Sequence, residues 1–187
     1  MLSFRRFLIE QIEQSPKVLF IMRGITGTGK STMAKEIEAN AKNSGLSATL
    51  HASDDIHMTP PTEEAPEGTY AWDPNNIKEG HRRTLESASD SMRQGTNHVV
   101  VDSMNLRHEH MLPYVDAAKE HGYEVKFVDT METPISREEL ERRHKERGER
   151  IPGYDLSHII DRTLGQYQPF EGKTDDERVK EVLASRS

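Results

Sequence analysis

Apolar residues along this chain fall into two rhythms: short unbroken runs, and longer stretches in which they recur every three or four positions. The runs at 18–22, 47–52, 98–102 and 124–128 predict strands, and the three successive valines of the third suit a strand buried on both faces. Helical spacing predicts helices at 32–43 (Met33, Ala34, Ile37, Ala41), 76–94 (Ile77, Leu85, Ala88, Met92) and 113–121, with stops at Gly45, Gly95 and Gly122. Phe4, Phe7, Leu8 and Ile12 suggest a preamble helix ended by Ser15-Pro16. After the fourth strand the pattern is helical only, at 134–147 and 156–168, followed by a charged tail or helix over 171–187. Strands alternating with helices imply right-handed βαβ units. The expected fold is α/β, with a central parallel sheet of four to five strands, helices on both faces and a C-terminal helical lid. Residues 60–74, rich in Pro, Glu, Gly and Thr, read as an extended surface loop. No internal repeat interrupts the picture of one domain over 1–187, with a core at 15–170 and a lid region at 134–153.

Composition narrows the classes. With 187 residues, 33% apolar and 30% charged, the chain is polar but long enough to bury a core. The absence of cysteine excludes disulfides, thiolate metal sites and cysteine nucleophiles. No run reaches the length of a membrane span, and the charge-interrupted start MLSFRRFLIEQIEQ is unlike a cleaved secretory signal. The expectation is a cytoplasmic protein with no membrane partner. A formal charge of −7 disfavours a broad electrostatic hold on nucleic acid but leaves room for a local basic cleft.

The chemistry centres on Gly24-Ile25-Thr26-Gly27-Thr28-Gly29-Lys30-Ser31, which fits G-x-x-x-x-G-K-[ST], the phosphate-binding P-loop, with a strand before it and a helix after it. The expected nucleotide site comprises Gly24, Thr26, Gly27, Thr28, Gly29 and Thr32 around the phosphates. Lys30 would reach the β- and γ-phosphates of ATP or another nucleoside triphosphate, and the Ser31 hydroxyl would ligate Mg²⁺.

Ligands in such sheets bind beyond the carboxyl ends of the strands, where Asp54, Asp55 and Asp102 follow strands two and three. Asp54 or Asp55 can accept the proton of an attacking hydroxyl, or simply cap a turn. Asp102 can anchor Mg²⁺ or orient the acceptor, and Asn105 just beyond it is read as an acceptor-side or turn residue. Residues 137–150 hold six basic residues and five Glu, mostly a solvated face of paired charges. Arg147, before Gly148, is set apart as a finger able to close over the triphosphate, with Arg143 one turn earlier. The nine histidines show no zinc spacing, so His57, His81, His108 and His110 read as surface or hydrogen-bonding residues. Tyr70 and Trp72 either stack a base or pin the loop to the core.

The order GITGTGKST, SDDIH, VVVDSMNL and ERRHKERGERIPGYDLSHII resembles the kinase domain of the bacteriophage polynucleotide kinase group. It is also similar to P-loop domains related to 2′,3′-cyclic-nucleotide phosphodiesterase proteins, and the match spans about residues 18–168. The resemblance implies a P-loop NTPase fold, Asp54 as general base for a 5′-hydroxyl, and Arg147 with Arg143 in a lid over the β- and γ-phosphates. Two positions depart from the pattern: His57 stands where the phage enzyme has an acceptor-binding arginine, and the strand-three box reads Asp102-Ser103-Met104-Asn105. From 43 to 77 no Lys or Arg is present, and His81-Arg82-Arg83 on the next helix can compensate near the acceptor, which otherwise is a short nucleotide end or something smaller. The expected activity is transfer of the γ-phosphoryl of ATP to a nucleic acid 5′-hydroxyl end. A small-molecule kinase and a non-catalytic nucleotide-binding module are the alternatives.

Overall fold

The four apolar runs become the four strands of one parallel sheet: β1 (Val18–Arg23), β2 (Ala48–Ala52), β3 (His98–Asp102) and β4 (Glu124–Asp129), in the order β2-β3-β1-β4. The computed structural model describes residues 16–58, 63, 71, 73–132, 135–148 and 156–186, and leaves out the side chains of 147, 148 and 156–158. The expected preamble helix, Tyr70 and Trp72 lie outside the described residues. Central strands need apolar side chains on both faces. Accordingly Leu19, Ile21 and Met22 of β1 and Val99, Val100 and Val101 of β3 are all buried. The register pairs Ala52 with Asp102 and Arg23 with Asp129, so the carboxyl ends of all four strands form one edge.

Among the described residues six α-helices accompany the strands: α1 (Lys30–Asn43), α2 (Ile77–Arg93), α3 (His108–His121), α4 (Arg137–Gly148), α5 (Leu156–Leu164) and α6 (Asp175–Ala184). Period-two alternation along β1 divides the core. Leu19 and Ile21 join Ala88 of α2, Met111 and Val115 of α3 and Val182 of α6 on one face, while Met22 meets Ala34 of α1 on the other. A third cluster, Ile25, Leu106, Leu140 and Ile160, sits beyond the strand ends and holds α4 and α5 against the loop after β1. No helix among the described residues is long and apolar enough to cross a membrane.

Two boundaries depart from the sequence pattern. α3 begins at His108, five residues before Pro113, which lies inside it and removes one helical donor. Its start is held from a distance, because the His108 N–H donates to Gln168 Oε1 at 2.9 Å. α5 ends at Leu164 rather than continuing to 168, and the Gln168 N–H donates instead to Leu106 O at 2.8 Å. The charged tail contains α6, opened by a capping box in which Thr174 accepts from the Glu177 N–H and Glu177 accepts from the Thr174 N–H.

At the carboxyl edge Arg23 is fully buried. Its Nη1 meets Asp129 Oδ2 at 2.9 Å, its Nε donates to Asn105 O at 3.2 Å, and its Nη2 donates to Gln168 O at 2.7 Å. The guanidinium lies 4.2 Å from the Phe170 ring centroid and 5.2 Å from that of Tyr167, whose hydroxyl donates to the same Asp129 oxygen at 2.8 Å.

Removing one partner of a buried ion pair leaves an uncompensated charge. Asp129→Ala is therefore expected to destabilise the protein by about 3–5 kcal/mol in urea unfolding. Burial also pushes the pKa values of His51, His98 and His108 below the ordinary imidazole value, against the opposing pull of Asp55 on His51 and Glu181 on His108. The unfolded chain then binds protons that the folded one resists. Stability is expected to be full above the unfolded-state value of about 6.5 and to fall as pH drops below it, which urea midpoints measured from pH 7.5 downward will show.

Candidate active site

The loop between β1 and α1 is built on backbone conformations that favour glycine. Gly24, Gly27 and Gly29 have φ of 130°, 88° and 95°. At Gly24 space is also limiting, since an added Cβ would lie 2.3 Å from Thr130 Oγ1. At Gly29 the opposite holds: a Cβ would meet nothing within 4 Å. Gly29 occupies the N-cap position of α1 without a side-chain cap, and the first turn holds no acidic residue. A helix N-terminus without a capping side chain favours an anion.

Around this helix start Lys30 Nζ donates to Ile25 O at 2.9 Å, and Thr28 Oγ1 donates to the same carbonyl at 2.8 Å. Ser31 and Thr32 stand exposed on the first turn of α1, and Thr26 Oγ1 lies 3.8 Å from Met104 Sδ. The Thr28 and Thr130 hydroxyls are hydrogen-bonded at 2.6 Å, while the Thr130 N–H donates to Arg23 O at 3.0 Å and Thr130 Oγ1 lies 2.9 Å from the same carbonyl. The Gly24 N–H donates to Met104 O at 3.0 Å, which ties the loop after β3 to the start of the P-loop.

The carboxylates come from the neighbouring strands. β2 runs into a 3-10 turn, Ser53–His57, that exposes Asp54 and Asp55. Asp55 accepts weakly from the Ala52 N–H at 3.4 Å. Burial pushes its pKa up, the Ala52 bond opposes this, and the charges of Asp54 and Asp102 add to the rise. These three carboxylates thus share one electrostatic neighbourhood, with Asp102 nearly buried at the end of β3. α2 packs so closely on the turn that a Cβ on Gly80 would lie 2.7 Å from Ser53 O.

Other expected site residues sit differently. Asn105, at φ 45°, is buried, and its Nδ2 donates to Met22 O at 2.9 Å, so its amide braces β1 from beneath instead of facing an acceptor. His57 is 5% exposed; its Nδ1 accepts from the Asp73 N–H at 3.2 Å and its carbonyl accepts from the Ala71 N–H, so the ring fastens the returning chain. Arg82 is exposed and held by Glu79 at 2.6 Å and by Glu86. Arg143 Nη1 donates to Gly27 O at 2.8 Å and its Nε pairs with Glu139 at 2.6 Å. The Arg147 side chain lies outside the described residues, as do 134 and 149–153 of the expected lid.

Two residues that sequence reasoning passed over belong here. Arg23 ends an apolar strand immediately before the first P-loop glycine, an unusual place for a charge. His144 is 2% exposed, with its Nε2 2.8 Å from Thr26 O. Its signal was available, because it lies four residues after Leu140, the sole aliphatic residue of α4, and so on the same helix face.

A family model described as an AAA domain matches residues 19–169. Human NEDD4-binding protein 2 is 26% identical over 110 residues, 59% of this chain, and the chain spans only 6% of that relative's length. Among solved structures, the Pnkp1/Rnl/Hen1 RNA repair complex matches with a TM-score of 0.59 at 18% identity, covering 82% of this chain and 44% of the other. The APS kinase of Mycobacterium tuberculosis, in complex with AMPPNP and APS, matches with a TM-score of 0.51 at 19% identity, covering 91% and 96%. At these identities the likeness is one of fold.

The close approach of α2 to the carboxylate turn gives a signed test. Gly→Ala in an unhindered helix interior stabilises by about 0.5–1 kcal/mol. Gly80→Ala should instead destabilise by about 1–3 kcal/mol in urea unfolding, because the new methyl group meets backbone.

Proposed function

The chain belongs to the AAA domain family, and we propose that within it this protein is an ATP-dependent phosphotransferase acting on a hydroxyl, with a polynucleotide 5′-hydroxyl as the acceptor. One observation carries the reading: Asp54 and Asp55 follow β2 and Asp102 ends β3, at the same sheet edge from which the loop after β1 enters an α1 N-terminus that has neither a side-chain cap nor an acid of its own. One side of the cleft suits a polyphosphate, and the other suits proton removal from an alcohol.

In this reading Lys30 exchanges the Ile25 carbonyl for the β- and γ-phosphates, while the P-loop amides and Thr32 bind the phosphate chain. Ser31 and Asp102 would hold Mg²⁺, which supplies charge neutralisation on the phosphates. Among the described residues no group of three or more His, Asp or Glu side chains suits a metal. Asp54, exposed on its turn, takes the acceptor's proton and keeps the oxygen directed at phosphorus. Arg147 is assigned to the charge that develops in transfer. The fold shared with a component of an RNA repair complex supports the nucleic acid acceptor.

A specific observation favours a small-molecule acceptor as the second reading. Arg82 and Arg83 are tied to Glu79, and His57 is turned inward, so the acceptor side has little positive charge for a phosphate backbone.

Incubation with labelled ATP, a 5′-hydroxyl oligonucleotide and a panel of small alcohols tests both. Transfer to the oligonucleotide is expected, with Asp54→Asn lowering turnover by about 10²–10⁴-fold. Unchanged transfer in that variant removes Asp54 as the base, and a clear preference for a free metabolite decides for the second reading.

A further inference from the structure

Two successive residues of α4 grip two successive carbonyls of the P-loop. Arg143 Nη1 donates to Gly27 O at 2.8 Å, and His144 Nε2 lies 2.8 Å from Thr26 O. A carbonyl only accepts, so Nε2 carries the hydrogen. Nδ1 is then the bare nitrogen, and it is buried without a partner. The preceding carbonyl, Ile25 O, is taken by Lys30 Nζ and Thr28 Oγ1. Of three consecutive carbonyls, two are thus held by α4 and the third by side chains of the loop and α1 themselves.

The peptides here are trans, and in a trans peptide the carbonyl and the following N–H point in opposite directions. Holding the carbonyls of Thr26 and Gly27 against α4 therefore turns the N–H groups of Gly27 and Thr28 away from α4. Glycine resists peptide rotation least of all residues, and Gly27 sits at φ 88° with its α-carbon hard against the His144 ring, where a Cβ would lie 3.2 Å from Cδ2. Without an external grip these two peptides would sample both orientations.

We propose that Arg143 and His144 are positioning residues that set the Thr26–Gly27 and Gly27–Thr28 peptides so that their N–H groups face a polyphosphate before it arrives. The inference rests on the reading of the P-loop as a triphosphate site, and it moves Arg143 from a lid over the phosphates to a brace behind the loop. Ordering the donors in advance lowers the entropic cost of binding. The effect falls on the polyphosphate and not on the nucleobase.

The test is calorimetric titration of the full chain, with Mg²⁺ present, using inorganic tripolyphosphate and ATP as separate ligands. His144→Leu removes the donor without changing charge, so weaker binding reports the backbone. It is expected to raise the Kd for tripolyphosphate about tenfold. His144→Gln, whose amide also donates, should recover to within about threefold of wild type. If His144→Leu does not fold, Arg143→Met replaces it, since that side chain is partly exposed. Its Thr28 amide resonance in ligand-free protein is expected to move, whereas an Arg143 that only contacts phosphate would leave it in place. A folded His144→Leu with wild-type tripolyphosphate affinity, or an unmoved Thr28 amide in Arg143→Met, overturns the proposal. A wild-type chain that binds neither tripolyphosphate nor ATP overturns the nucleotide reading itself.

Discussion

A guanidinium taken out of water has to be surrounded by acceptors, and that requirement at Arg23 organises the working edge of the molecule. Burial lowers the Arg23 pKa and Asp129 opposes the shift, so the partners offset the cost of taking the charge out of water. Those partners come from three further segments: the carbonyl of Asn105 after β3, the carboxylate of Asp129 ending β4, and the carbonyl of Gln168 after α5. Phe170 and Tyr167 close over the faces of the cation. The ends of three adjacent strands and the chain beyond α5 are therefore fixed relative to one another by a single side chain.

The phosphate-binding loop inherits this order because it begins one residue later. The carbonyl of Arg23 receives the Thr130 N–H, and Thr130 in turn touches Thr28 and fills the space that a side chain on Gly24 would need. Met104 O secures the first amide of the loop, and α4 secures two of its carbonyls from behind. The glycines make the conformation accessible, and the surrounding contacts select it from the many that glycine permits.

What could be read from the sequence was local. The four strands are short apolar runs between turn residues, and the P-loop is a fixed spacing of few residue types, so neither needs knowledge of distant contacts. Asp54 and Asp102 were legible for a related reason, since a residue that follows a strand in a parallel sheet has its place set by topology. His57 and Asn105 were not, because their burial depends on the chain returning at 71–73 and on the end of β1. The start of α3 and the end of α5 were misplaced because Gln168 serves both, from 60 residues beyond His108. α6 takes the helical alternative for 171–187, and the Thr174 to Glu177 capping box shows where it opens.

The bonds to Arg23 also bear on the order in which the molecule can be made. They span sequence separations of 82, 106 and 145 residues. Contacts of such range form late, after the entropy of closing long loops has been overcome by collapse of the nearer elements. During synthesis from the N-terminus, β1 and the glycines that follow it emerge early, but the last acceptor for Arg23 does not exist until Gln168 has left the ribosome. The earliest functional motif in the chain is thus among the last to be completed, and a nascent or truncated chain carries the motif without the loop's native support.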